Sequence, residues 1–438
     1  MRKVILYSLL LFAGLTLSQF LPTFLGEFHI IAANCIRVVT MIGLAFIMIH
    51  VGFEFHLDKS KLGSYGWDYV VAFTAASFPW VFVTLYFVFV LLPPEFWGNF
   101  DAWKETLLAG RFAAPTSAGV LFSMLAAAGL GATWVFRKAR VLAIFDDLDT
   151  VLLMIPLKVL MVGFAWQLGF VAVLMVALLS IAYIWLDKIR MSVTWGWVLF
   201  YSCVIVVISE LLYAWSKIID PSVPVHIEVL LPAFVLGCIA TPKGCPSDLS
   251  CEDEEIAFHK ILDRPDEVKV SHLVTAVFMV SVGLSMPTIF ESSDIQHPAP
   301  SKETLYASAP PSAVDDPTIH GGINEDRFEK TITARQPSMG WGEIIIHVLL
   351  ITVISNIGKM FPAFCYKKEA HWRHRLAVAV GMWPRGEVGA GILVLSLSYG
   401  IGGPIVTVAM LSLALNLSLT GVFIVIVKKL ISGIPEQK

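Results

Sequence analysis

The segment RVLAIFDDLDTVLLMIPL, residues 140–157, places three aspartates in an apolar run that is long enough to enter a lipid bilayer. Asp146 and Asp147 are adjacent, and Asp149 follows two residues later. A carboxylate in the hydrocarbon core costs at least ~2.5 kcal/mol on insertion scales, so such residues usually face a cavity, a charged partner or an ion pathway. The three aspartates therefore mark the segment where function is expected.

The composition of the whole chain defines the class of protein. Of its 438 residues, 57% are hydrophobic and only 15% are charged, whereas an average soluble domain is roughly 25% charged. Apolar stretches fill the chain almost from end to end. The sequence therefore predicts an all-α polytopic membrane protein that forms a single membrane domain over residues 1–438.

About twelve stretches are long enough to cross a hydrocarbon core of ~30 Å. We place these spans at about 4–21, 31–53, 67–92, 106–128, 140–162, 165–186, 193–216, 226–242, 270–290, 341–365, 374–398 and 403–428. The longest connection on the outer side, about 291–340, is rich in Pro, Ser and charge. Such a composition buries little apolar surface, so this connection is predicted to be a flexible external insert.

Lys and Arg are distributed unequally between the two sides of the membrane. With the N-terminus in the cytoplasm, twenty of them lie on the inner side and six on the outer side. Inner loops of membrane proteins carry an excess of Lys and Arg. This distribution predicts a multi-pass protein of the cell (inner) membrane with an even number of spans and both termini in the cytoplasm.

A buried lysine is predicted at the same depth as the aspartates. The fifth span runs outward from residue 140, so Asp147 lies ~10 Å from the inner face at a helical rise of ~1.5 Å per residue. The tenth span runs inward and ends near residue 365, which puts Lys359 at a similar depth. An Asp–Lys pair between neighbouring helices offsets much of the penalty of burying both charges. We therefore expect Lys359 to pair with an aspartate of the fifth span.

The adjacent aspartates are expected to have different roles. Asp146 and Asp147 point ~100° apart around a helix, so one can face Lys359 while the other faces a water-filled cavity. An accessible carboxylate binds either a proton or a small hard cation, and the two compete. That competition is the minimum chemistry of a cation/proton antiporter. Asp149 lies nearly opposite Asp147 and is expected to hydrogen-bond elsewhere in the bundle.

Two spans carry helix-breaking residues near mid-membrane. The fourth reads RFAAPTSAGVLF (residues 111–122), and the eleventh reads VGMWPRGEVGAGIL (residues 380–393). Proline removes a backbone donor and blocks the bond to the preceding turn, and glycine weakens a helix further. Broken helices at corresponding positions of two halves indicate the binding site of a transporter. Spans 3–5 and 10–12 are accordingly predicted to form an inverted repeat.

Two other classes of membrane protein fit the sequence less well. A channel needs a continuous polar pathway, and we find no filter-like carbonyl motif. An intramembrane aspartyl protease needs aspartates on two different helices, one of them in a GxGD-like setting, and no such motif is present. The prediction is therefore a transporter that is not an enzyme and uses no cofactor besides the ions it carries.

Four segments resemble those of the monovalent cation/proton antiporters, specifically the sodium/proton branch with an Asp-Asp pair. The segment GMWPRGEVGAGILV, 381–394, is similar to the family's GMxPRGEVxL motif. TSAGVLFSMLAAAGL, 116–130, resembles its ATSVGI-type broken helix. AIFDDLDTVLL, 143–153, and NIGKMFPAF, 356–364, resemble the segments that bear its aspartates and its lysine. The resemblance extends over most of the chain.

The resemblance implies roles for individual residues. Asp147 would be the carboxylate that carries the ion and the proton, and Asp146 would bind the Na⁺ with it and exchange a salt bridge with Lys359. Thr116 and Ser117 would lie at the helix crossing beside the ion. The resemblance further implies a structural network around the second broken helix, made by Arg385 and Glu387.

The resemblance also implies an architecture and a mode of transport. Family members have a mobile core, here about 67–162 and 341–428, that moves like an elevator against a panel, here about 4–53 and 193–290, through which two copies form a homodimer. Paired aspartates imply electrogenic exchange of Na⁺ or Li⁺ for protons, which serves pH homeostasis, and exchange of K⁺ is the alternative. The chain departs from the family at Pro115, at Asp149 and in its external insert.

Overall fold

The computed structural model describes residues 2–25, 28–53, 62–162, 166–185, 189–219, 229–242, 264–285, 331–337 and 339–432. Within these ranges the chain forms fourteen α-helices. They are α1 Arg2–Leu25, α2 His29–Phe53, α3 Leu62–Tyr86, α4 Phe100–Gly110, α5 Ala118–Ala127, α6 Trp134–Val162, α7 Trp166–Ile184, α8 Trp195–Ile219, α9 Leu230–Ile239, α10 Pro265–Leu284, α11 Trp341–Gly358, α12 Trp372–Gly381, α13 Glu387–Ser398 and α14 Gly403–Ile431. The strands β1 Ile189–Met191 and β2 Ala240–Pro242 form one short parallel pair.

The helices confirm the predicted class, an all-α polytopic membrane protein. Seven helical segments of the described chain are apolar and long enough to cross a membrane on their own. The 29-residue helix α6 is also long enough, and it carries the three aspartates. The fourth predicted span corresponds to two helices, α4 and α5, and the eleventh corresponds to α12 and α13. Both breaks lie where proline and glycine interrupt the sequence.

Glycine pairs bring two sets of helices into close backbone contact. Gly14 of α1 lies against Gly283 of α10, and Gly52 of α2 lies against Gly237 of α9. A Cβ atom at any of these four positions would meet backbone atoms of the facing helix. Helices in a membrane associate largely through such close packing, because lipid gives them little hydrophobic drive to associate. These contacts hold together helices that belong to the predicted panel.

The described end of the external insert packs against the helix bundle. Residues 331–337 lie against the middle of α4, where the buried carboxylate of Glu105 accepts hydrogen bonds from Ile332 N at 3.1 Å and Thr333 N at 2.9 Å. The Thr333 hydroxyl donates a third bond to the same carboxylate, also at 2.9 Å. Gly403 has a φ of +70°, and a Cβ there would collide with the Thr333 carbonyl oxygen. The flexible insert was predicted over 291–340, but residues 331–337 pack against α4 and the start of α14. Residues 291–330 and 338 lie outside the described residues.

Two deletions in the insert should have different effects on stability. Removing 296–328 with a short linker should leave the thermal midpoint close to that of the full chain, because the composition of this stretch predicts little apolar burial. Removing 296–335 also removes the donors to Glu105. The loss of each charge-assisted hydrogen bond to this buried carboxylate should lower the stability of the protein by about 1.5–3 kcal/mol. Thermal unfolding of the purified proteins distinguishes the two, and equal midpoints would contradict the anchoring role of Glu105.

Candidate functional site: charged side chains at the crossing of two broken helices

The two helix breaks lie against each other in the interior of the bundle. After α4 ends at Gly110, a 3-10 turn and an extended stretch lead to α5, and after α12 ends at Gly381, an extended stretch leads to α13. The Ser117 N–H donates to the Pro384 carbonyl at 2.9 Å. The Thr116 hydroxyl donates to the Met382 carbonyl at 3.1 Å. Two carbonyls that the second break releases from its helix are thus satisfied by donors of the first break, as backbone groups inside a membrane require.

A buried ion pair joins the aspartate segment to the tenth span. Lys359 Nζ lies 2.8 Å from Asp146 Oδ2, and both side chains are fully buried. Lys359 is the residue that follows the last turn of α11, with its N–H bonded to the Asn356 carbonyl. Cations are favoured at a helix C-terminus because the carbonyl groups there carry partial negative charge. The predicted Asp–Lys pair is therefore present, and a 3-10 turn, Phe361–Phe364, extends the helical segment to the predicted boundary near residue 365.

Thr116 connects the ion pair to both breaks. Its N–H donates to Asp146 Oδ2 at 2.7 Å, and its hydroxyl accepts a bond from Lys359 Nζ at 2.7 Å. The same hydroxyl donates to the Met382 carbonyl. Any movement of Lys359 away from Asp146 therefore changes the hydrogen bonding of Thr116 and, through it, of the second break.

Arg385 holds the crossing together through uncharged acceptors. The fully buried guanidinium donates from Nε to the Ala113 carbonyl at 2.9 Å, from Nη1 to Asn356 Oδ1 at 2.7 Å and from Nη2 to the Ser355 carbonyl at 3.0 Å. Asn356 in turn donates to Asn416 Oδ1 on α14 at 3.1 Å. The fixed fork of the guanidinium suits such multiple contacts. Arg385 thereby connects the first break to the end of α11.

The other predicted site residues lie at or near this crossing. Asp147 is 5% exposed and interacts electrostatically with Lys359. Ser117 is buried and immediately precedes α5. Glu387 is the first residue of α13, but its side chain lies outside what the structure describes. Asp149 is buried on α6, beside the Tyr69 hydroxyl of α3. The described side chains of the predicted set are thus brought together.

Gly386 offers a test of the close approach at the crossing. A Cβ there would lie 2.9 Å from Ser117 Oγ and 3.1 Å from Ser117 Cβ. We expect Gly386→Ala to destabilise the protein by about 1–3 kcal/mol, because a methyl group is forced into a packed site. The matched control is Gly391→Ala on α13, the helix that begins immediately after Gly386, because a Cβ at position 391 meets nothing within 4 Å. Thermal midpoints that do not differ between the two variants would contradict this packing.

Three polar residues of the site were not singled out from the sequence. Asn356 and Asn416 connect Arg385 to α14, and Arg111, the first residue of the 3-10 turn after α4, is fully buried. Each is a strongly polar residue within a predicted membrane span, and that property could have identified it as a candidate site residue from the sequence. Their partners could not be read from the sequence, because the contacts join helices that are far apart along the chain.

These features define the class: a polytopic membrane protein with a charged site at the crossing of two broken helices, the architecture that secondary transporters use for ion binding. No protein-family model matches the chain, and no curated protein sequence matches it. Among solved structures, the fold is similar to that of the sodium/proton antiporter MjNhaP1 from Methanocaldococcus jannaschii, with a TM-score of 0.52. That match covers 95% of this chain and 92% of the antiporter at 14% sequence identity. At that identity, the likeness establishes the fold.

Proposed function

We propose that the protein is a secondary active transporter that exchanges a monovalent cation for protons. The observation that carries this proposal is the buried Asp146–Lys359 pair at the crossing of two broken helices, with Asp147 beside it. Buried charges inside a membrane protein are expensive and usually belong to substrate or ion pathways. An acidic pair with a movable counter-charge can hold a cation in one state and protons in another.

The contacts support a specific exchange step. In the cation-free state Lys359 neutralises Asp146, and Asp147 carries the exchangeable proton. A cation that enters beside Asp147 displaces its proton and competes with the ammonium group for Asp146. Release of Lys359 also breaks its bond to the Thr116 hydroxyl. Ion binding would in this way loosen a contact that connects the two breaks. The core would then be free to move, which changes the side of the membrane to which the ion site is open.

The transported ion is proposed to be Na⁺ or Li⁺, bound by Asp146 and Asp147 with help from Thr116 and Ser117. Carboxylate, hydroxyl and carbonyl oxygens are the ligands that hard cations prefer. Exchange is electrogenic in this proposal, because Lys359 can lose a proton in addition to the one that leaves Asp147. We further propose elevator-type movement of the core, a homodimer in the cell membrane with both termini in the cytoplasm, and a role in pH homeostasis.

Everted membrane vesicles from a host that lacks its own antiporters provide the functional test. Respiration acidifies the vesicle interior, and addition of Na⁺, Li⁺ or K⁺ should then dissipate the proton gradient, as reported by a pH-sensitive dye. The proposal predicts dissipation with Na⁺ or Li⁺ in vesicles that contain the protein and none in empty vesicles. A response to K⁺ alone would change the assigned cation. No response to any of the three would contradict exchange.

A further inference from the structure

Among the side chains that the structure describes, six charged groups are buried at the crossing and on α6 between residues 146 and 149. The carboxylates are Asp146, Asp147 and Asp149, and the cations are Arg111, Lys359 and Arg385. Lys359 pairs directly with Asp146, and Arg385 donates only to uncharged oxygens. With every group ionised the set is electrically neutral. The ion-exchange step proposed above uses Asp146, Asp147 and Lys359, which leaves Arg111 and Asp149 without a role.

Arg111 differs from Arg385 in how its guanidinium is held. Its Nη2 donates to the backbone carbonyl of Asp149 at 3.1 Å, and the group lies 4.7 Å from the centre of the Trp80 ring. Its Nε and Nη1 have no hydrogen-bond partner in the described part of the chain. A cation over a tryptophan face is stabilised there by the ring's electrons. Arg111 thus uses few of its donors, and its charge acts on its surroundings largely through space.

Asp149 is the acidic counterpart of Arg111. It is 1% exposed, and within the described residues neither carboxylate oxygen has a well-aligned hydrogen bond, although the Tyr69 hydroxyl lies beside it. Its carboxylate and that of Asp146 both interact electrostatically with Arg111. Residues three apart on a helix lie on the same face, so Asp149 and Asp146 are neighbours.

We propose that Arg111 and Asp149 form a charge-balancing pair that sets the affinity of the neighbouring site for its cation. This inference rests on the proposed function, because it treats Asp146 and Asp147 as cation ligands. Each member acts through its charge when it is ionised, and is a positioning residue that does not contact the ion. At a separation of about 10 Å and an effective dielectric constant of about 20, one unit charge changes a cation's affinity roughly tenfold.

The proposal predicts opposite effects for the two single substitutions. Asp149→Asn removes a negative charge and should weaken cation binding roughly tenfold. Arg111→Gln removes a positive charge and should strengthen it by a similar factor. The double variant is neutral again and should return close to the wild-type affinity, whereas a purely structural role predicts losses that accumulate. Arg111→Lys keeps the charge and should bind within about twofold of wild type.

Calorimetric titration of the purified full-length protein with Na⁺, at alkaline pH to suppress proton competition, measures these affinities. Opposite shifts and their cancellation in the double variant would support the pair. Shifts in the same direction, or equal affinities in all variants, would overturn this inference while leaving cation binding intact. A wild-type protein that binds none of Na⁺, Li⁺ and K⁺ would overturn the proposed function and this inference with it. Asp149→Asn is nearly isosteric, so its predicted weakening decides the matter if Arg111→Gln does not fold.

Discussion

Replacing Asp147 with Asn should reduce cation-coupled proton movement to the level of empty vesicles, while the protein still folds and inserts. The amide keeps the volume of the side chain but can neither exchange a proton nor offer a full negative charge to a cation. Asp147 is not the carboxylate that neutralises Lys359, since the ammonium group lies against Asp146. The substitution therefore removes the exchangeable charge without breaking the buried ion pair. Proton flux in vesicles and the amount of protein in the membrane are measured together.

Asp101 provides the matched control for Asp147. It is also an aspartate on a helix of the same half, but its side chain is 65% exposed, and its ion-pair partner among the described residues is Lys104, three residues away. Exposed ion pairs contribute about 0–1 kcal/mol, so Asp101→Asn should leave both flux and stability close to wild type. Substantial flux in the Asp147→Asn variant would show that another group carries the proton.

Replacing Lys359 with Ala should cause the largest loss of stability. Removing one member of a buried ion pair costs about 3–5 kcal/mol, because the other charge remains buried and unpaired. The Thr116 hydroxyl also loses its bond from the ammonium group. We therefore expect a clearly lower thermal midpoint and loss of voltage-generating transport, even where some exchange persists. Thermal unfolding of the purified variant and a voltage-sensitive dye in proteoliposomes measure the two effects.

A double-mutant cycle tests whether Lys359 and Asp146 act as a pair. In Lys359→Ala/Asp146→Asn both positions are neutral, so part of the stability lost in Lys359→Ala should return. The nearly isosteric Asp146→Asn alone leaves Lys359 as the unpaired charge and should also destabilise. Stability losses that simply add in the double variant would mean that the two side chains do not interact. The ion-exchange step would then have to be built around Asp147 alone.

The sequence was sufficient to predict the class of protein and the position of both helix breaks. The thickness of the hydrocarbon core fixes the length of a membrane-spanning segment, so such segments can be recognised in a sequence. Pro115 and Pro384 lie in the two stretches where the structure interrupts the fourth and eleventh spans. The Asp146–Lys359 contact was predictable because a rise of about 1.5 Å per residue fixes depth along a helix. Depth alone cannot say which of two adjacent aspartates meets the lysine, and only the family resemblance selected Asp146.

Other parts of the site depend on contacts that a single sequence does not contain. The resemblance assigned Arg385 to a structural network but did not give its partners, which in the structure are three backbone carbonyls and the Asn356 amide. The anchoring of Thr333 by Glu105 joins positions more than two hundred residues apart. The composition of the insert predicted flexibility along its whole length. Composition describes a segment by itself, so it gave no sign that Thr333 is held by the distant, buried carboxylate of Glu105.

In the proposed exchange a cation and a proton compete for one buried carboxylate, so Na⁺ binding should depend on pH. Calorimetric titration of the purified protein at a series of pH values, in buffers with different ionisation enthalpies, gives the affinity and the number of protons released. We expect Na⁺ binding to release protons and its affinity to fall toward acid by about tenfold per pH unit for each proton released, one from Asp147 and one from Lys359. The proton that belongs to the carboxylate, with its share of the pH dependence, should be absent in Asp147→Asn. An affinity that does not change with pH, without proton release, would contradict the account.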